Sequence, residues 1–152
     1  MGLGIKSIKK NEGFTLVELV LVIALGALIM LGAMTLYSKS RETATADQII
    51  KGTHTIMAGL TELRLYKGAL PAGSSWPASA SNYVSSDLTS TYGYSCSSGV
   101  LRITSPACDS AEQASKVLAK LTDQTLCESG STVTTGNRIV CVVKGFNGNA
   151  GC

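Results

Sequence analysis

One carboxylate set against a long uncharged run constrains this chain more than any other feature. Glu18 stands directly before Leu19–Ser38, 20 residues without Asp, Glu, Lys or Arg. At a helical rise of about 1.5 Å per residue, such a run crosses the roughly 30 Å hydrocarbon core of a bilayer. A carboxylate at the edge of lipid costs on the order of a few kcal/mol unless it is paired. A chain that places one there needs a counter-ion for it. The feature points to assembly inside a membrane rather than to a soluble enzyme.

The flanks orient the run. Lys6, Lys9 and Lys10 precede it, and basic residues tend to stay on the cytoplasmic side. A secretory signal peptide would show a shorter apolar core closed by a small-x-small cleavage site, and no such site closes this one.

The segment Lys9-Lys10-Asn11-Glu12-Gly13-Phe14-Thr15-Leu16-Val17-Glu18 resembles the prepilin-type N-terminal signal of type IV pilins and related pseudopilins. With the helix that follows, the resemblance covers about the first third of the chain; the remainder resembles a pilin head only in general layout. The resemblance implies that a membrane aspartyl peptidase, the prepilin peptidase, cuts between Gly13 and Phe14, and that the new terminus is methylated. It also implies that Glu18 takes the assembly position, neutralising the amine of a neighbouring subunit. The resemblance implies three kinds of partner: other copies of the chain, the peptidase, and an assembly platform in the inner membrane. Many type IV pilins kink this helix with an early Pro. None occurs here between Phe14 and Leu70, which moves the resemblance toward the type IVb-like branch.

Three segments are expected. Residues 1–13 are the leader. Residues 14–67 are one long helix, with 14–37 as transmembrane segment and filament core and 38–67 amphipathic. Residues 68–152 are a globular head with disulfides. In the amphipathic part, Ile49, Thr53, Ile56, Leu60 and Leu63 recur at alternating spacings of four and three, widened by Ile50 and Met57, which is one helical face seeking cover. Gly68 and Pro71 are the expected stop. Gly26 and Ala33 are seven apart, as are Gly52 and Gly59; small residues so spaced allow close packing against another helix.

Residues 69–99 read as an irregular connection, Val100–Thr104 as a strand and 110–123 as a short helix. Asp109-Ser110-Ala111-Glu112 carries capping-box spacing for that helix. Arg138–Lys144 reads as a strand, paired with Thr132–Thr135 around Gly136-Asn137. The expected fold is α+β, a long N-terminal helix packed on a small antiparallel sheet, pilin-like in layout.

The 5 cysteines all lie from Cys96 onward: Cys96, Cys108, Cys127, Cys141 and Cys152. With no C-x-x-C pair and a single His, His54, they read as disulfides of an oxidising compartment rather than a zinc site. The preferred pairs are Cys96–Cys108, across the first strand, and Cys127–Cys141, across the hairpin, each contributing about 3 kcal/mol. Pairing of Cys127 with Cys152, which pins the C-terminal tail in many pilins, stays open, and an odd count leaves one thiol over.

The formal charge of +3 is too small to argue for nucleic acid, and most of it belongs to the leader. Asp87, Asp109 and Asp123 lack the spacing of a calcium loop. No catalytic constellation, phosphate loop, cofactor motif or metal-ligand set stands out. Trp76, Tyr83, Tyr92 and Tyr94 read as satellite core more than as a sticky surface. The function expected is a structural subunit of a type IV pilus, stored in the inner membrane as a single-pass precursor and then part of an extracellular filament. The alternatives are a minor pilin with a binding or adhesive head and a type II secretion pseudopilin.

Overall fold

A computed structural model describes residues 14–146. The described chain divides into two units, a stem of residues 14–39 and a head of residues 40–146. The long helix α1 (Leu16–Lys67) runs through both. It is followed in the head by a 3-10 turn (Ala78–Asn82), α2 (Ser86–Thr91), β1 (Gly93–Ser97), β2 (Val100–Ala107), α3 (Ala111–Asp123), β3 (Thr132–Val133) and β4 (Arg138–Val142). The strands form one antiparallel sheet in the order β1-β2-β4-β3. The protein is thus α+β: a long N-terminal helix and a small four-stranded antiparallel sheet.

Every stem residue from Phe14 to Lys39 is exposed. Local rules suffice to make this stretch helical. It is rich in Leu, Ala and Met, has no Pro, and begins with an acidic first turn at Glu18 that complements the helix dipole. At the other end of α1, Arg64 and Lys67 complement the negative terminus. Gly68 then adopts φ +77° and donates its N–H to the Arg64 carbonyl at 2.7 Å. That left-handed cap ends the helix where the sequence places the stop.

In the head, the stripe Ile49, Thr53, Ile56, Leu60 and Leu63 is buried in full. It joins one core with Tyr94 and Cys96 of β1, Leu101 and Ile103 of β2, Ala114, Val117 and Leu121 of α3, and Ile139 and Cys141 of β4. In β1 and β2 the inward residues alternate, as the period of two in a pleated strand requires.

β2 outruns its expected end at Thr104 by three residues. Pro106 has no N–H to give a ladder, and the register with β4 shifts between Thr104 and Ala107. Ser105 restores a partner there, its Oγ accepting from the Ile139 N–H at 2.9 Å. The hairpin of β3 and β4 pairs Thr132 with Val140 and Val133 with Ile139, and Asn137 takes φ +54° in its turn.

The connection over 69–99 is more ordered than its composition suggests. It holds the 3-10 turn, α2 and β1, and its aromatic side chains fasten it. The Tyr92 hydroxyl donates to the Ile49 carbonyl at 3.1 Å, the Trp76 indole N–H to the Tyr92 carbonyl at 2.7 Å, and the Tyr94 hydroxyl to the Pro71 carbonyl at 2.7 Å. Gly52 and Gly59 receive this connection rather than another helix. A Cβ on Gly52 would run into the Tyr92 ring, and one on Gly59 would lie 2.5 Å from the Tyr83 carbonyl oxygen. The glycine pair is therefore a docking notch within the head.

Candidate functional site

Two of the residues singled out from sequence, Phe14 and Glu18, lie at the start of α1. Gly13 and the rest of the leader fall outside the described residues. Phe14 is exposed, and Glu18 occupies the first turn. The Glu18 carboxylate is turned back on the helix start. Its Oε2 accepts from the Thr15 backbone N–H at 3.3 Å and from the Thr15 hydroxyl at 3.2 Å. In return the Thr15 Oγ1 accepts from the Glu18 N–H at 3.3 Å. Thr15 and Glu18 are the N-cap and third helical residue of a reciprocal capping box, which satisfies donors that a helix start otherwise leaves orphaned.

Thr15 lies within the signal segment, but its pairing with Glu18 is not among the expectations drawn from sequence. The signal for that pairing is present, a Thr followed three residues later by a Glu just before an apolar run. The same spacing marks the start of α3, where the structure shifts the box by one position. Ser110, not Asp109, is the N-cap; its Oγ accepts from the Gln113 N–H at 3.1 Å, while Gln113 Oε1 accepts from the Asp109 N–H at 2.8 Å. Gln113 is buried, and its amide also donates to the Glu42 carbonyl at 2.6 Å, tying α3 to α1 within the head. Glu112 instead faces solvent and pairs with Lys116 at 2.8 Å.

The cysteines divide. Cys127 and Cys141 are bonded, with Cα atoms 5.3 Å apart and a sequence separation of 14. Cys127 precedes β3 and bridges to Val143, so the bond ties the segment entering the sheet to β4. The expected Cys96–Cys108 pair is a correction: Cys108 is a free thiol. The sheet register explains why. Cys96 stands opposite Leu101, near the turn of the β1–β2 hairpin, whereas Cys108 follows the far end of β2. At about 3.3 Å per strand residue, roughly 20 Å separates the two ends, far beyond the Cα separation a disulfide tolerates. Cys96 is disulfide-bonded, but not to Cys108. Cys152 lies outside the described residues. Burial pushes the Cys108 thiol up, with Asp109 adding to the effect, which favours the protonated form over the nucleophilic thiolate.

The remaining candidates are structural. His54 Nε2 lies 3.0 Å from the Gln124 side-chain oxygen on the exposed side of the head. Tyr92 and Tyr94 are buried, and Trp76 and Tyr83 pack on the core at its margin. No group of three metal-ligating side chains occurs among the described residues.

The chemistry concentrated at the stem is therefore one carboxylate, half engaged by its own helix, on a helix long and apolar enough to cross a membrane. The family profile described as the prokaryotic N-terminal methylation motif matches residues 8–34. The chain carries the prepilin-type signal of type IV pilins, which supports a protein of type IV pilin or pseudopilin type and suggests a structural, non-enzymatic role. That signal and the apolar helix fit an inner-membrane precursor processed by a prepilin peptidase. No curated protein and no solved structure matches the chain.

Proposed function

We propose that the chain is a structural subunit of a type IV pilus, stored in the inner membrane and polymerised through its N-terminal helix. The leader, residues 1–13, is removed by cleavage between Gly13 and Phe14. Residues 14–37 sit in lipid until an assembly platform extracts them, then line the core of an extracellular filament. Residues 38–67 carry the head, whose outer face coats the fibre.

One observation carries this reading. The stem is apolar on every side and covered on none, with its single carboxylate at the very start. Lipid meets the first condition for a lone subunit; a bundle of identical helices meets it for a filament. Cleavage creates an α-amine on Phe14, one helical turn from Glu18. Two charges that are costly in a low-dielectric bundle lower each other's cost when a neighbouring subunit brings them together, and the contact sets the axial register.

Glu18→Ala tests it. The variant is expected to insert in the membrane and be cleaved after Gly13 as usual, while sheared filament falls to near nothing on a protein gel. Wild-type filament yield from this variant would remove the register role. A head found at high abundance in sheared fibres is expected of a principal subunit, and scarcity there would favour a minor pilin or a pseudopilin.

A further inference from the structure

We infer that two unlike surfaces of the head dock into each other between copies of the chain: an exposed apolar patch at the end of α1, and a groove beside the earlier turns of the same helix. The inference rests on the pilus reading above and names a contact of that assembly outside the stem. Among the described residues, Leu65 and Tyr66 are the large apolar side chains of the head left in solvent, each 81% exposed. They adjoin half-buried Tyr83 and the exposed carboxylate of Glu62. A scattered exposed Leu is ordinary, but a contiguous patch with two tyrosines and a charge at its rim has the composition of an interface.

The groove has a volume of about 550 Å³ and lies between α1, α2 and the end of β2. Ile49, Leu88, Tyr92, Pro106 and Ala107 give it an apolar lining, and Lys51 and Asp87 stand on its walls. Neither Lys51 nor Asp87 nor Glu62 makes an ion pair with a described residue. Charge selects a second copy as the occupant. Glu62 complements Lys51, the Tyr66 hydroxyl finds an acceptor in Asp87, and Leu65 with the Tyr66 ring fills the apolar floor. Between Lys51 and Leu65, α1 rises about 20 Å. A contact between unlike surfaces at different heights is heterologous, so each copy keeps one surface free for the next and every copy can point the same way, as chains anchored in one membrane must. The patch is small. A few side chains fall well short of the roughly 1,200 Å² that a stable pair buries, so the contact is weak between free heads and takes hold when the stems raise their local concentration.

The test is zero-length carbodiimide cross-linking, which joins a lysine amine to a carboxylate in direct contact, followed by peptide mass mapping. It is applied to sheared filaments and to the unassembled full chain in detergent. Lys116 and Glu112, paired at 2.8 Å within one chain, are the internal control. Lys51 and Glu62 are about 16 Å apart along α1, so a link between them joins two copies. It is expected in filaments and not in dilute unassembled chain. Lys51→Glu and Glu62→Lys are each expected to abolish the link and lower filament yield per cleaved subunit on the order of fivefold, and the double exchange to restore yield to within about twofold. Leu65→Ser with Tyr66→Ser is expected to lower yield on the order of tenfold while leaving the thermal midpoint of the head unchanged, because both side chains are exposed. Filaments that show the control link without the Lys51–Glu62 link, or equal losses from the single and double exchanges, would overturn the contact and leave the pilus reading in place. A chain that is cleaved yet absent from sheared fibres would overturn the pilus reading, and the contact with it.

Discussion

The stem and the head solve opposite problems. Between Phe14 and Lys39 nothing is buried, yet the helix is regular. Between Ile49 and Leu63 the same helix has a buried stripe, and its partners come from residues up to Phe146. The stem is held by local rules, namely helix propensity, a capping box and the absence of Pro, and it leaves its whole surface for another environment. The head is held by non-local burial and leaves little apolar surface over. The difference teaches that a helix can be complete in its backbone and incomplete in its surroundings, and the exposed apolar stem is incomplete in that sense.

The contrast is sharpest for matched leucine truncations. Leu60→Ala in the head removes a fully buried side chain and is expected to destabilise it by about 2–5 kcal/mol, read as a lower thermal midpoint in detergent. Leu25→Ala in the stem is expected to leave that midpoint unchanged. An equal shift from both would erase the distinction between the two regions.

Gly59→Ala probes the notch inside the head. Its Cβ would meet backbone, the Tyr83 carbonyl oxygen at 2.5 Å, and the Val84 methyl at 2.8 Å, so the connection over 69–99 has to move. A loss of about 1–3 kcal/mol is expected on the same melting curve. Gly26→Ala, with open space around its Cβ in the stem, is expected to have no effect on it. A harmless Gly59→Ala would argue that the notch is not filled in solution.

The smallest effect lies at high pH. Burial pushes the Tyr92 hydroxyl up to about 12 from its ordinary value near 10, with the Thr53 hydroxyl opposing and Cys108 adding a little. A raised folded-state value means the unfolded chain loses the proton first. The head therefore keeps the full contribution below pH about 10 and loses it progressively as pH rises toward about 12. Tyr92→Phe is expected to flatten that part of the stability profile, measured by chemical denaturation at stepped pH. An unchanged slope would place the titration elsewhere.

Much of the fold is legible in the amino-acid order. The amphipathic stripe, the stop at Gly68, α3 and the β3–β4 hairpin all follow from periodicity and turn chemistry, which are local. β1 is not legible in this way, because Gly93-Tyr94-Ser95-Cys96-Ser97 is a short edge strand with no β-branched residue; its pairing with β2 supplies what its composition lacks. The end of β2 lies beyond its expected place because contacts to β4 resume past Pro106: the Ser105 hydroxyl accepts from the Ile139 N–H, Ala107 pairs with Arg138, and the Cys108 N–H donates to the Asn137 carbonyl. The cap of α3 sits one residue later than its spacing suggests because Asp109 and Ser110 are both good N-caps, and burial of Gln113 against Glu42 selects the second.

Local chemistry determined the stem: an uncharged run, a basic flank, a Thr and a Glu three apart, and a signal that a family profile recognises in the same residues. None of these needs a distant partner in the chain, so the order of residues suffices. The pairing of the cysteines and the use of Gly52 and Gly59 were decided only by the tertiary structure. A disulfide depends on which strand ends the register brings within reach, and a glycine's role on what lies over its missing Cβ. Both are distances between residues remote in sequence, and a linear pattern does not encode them.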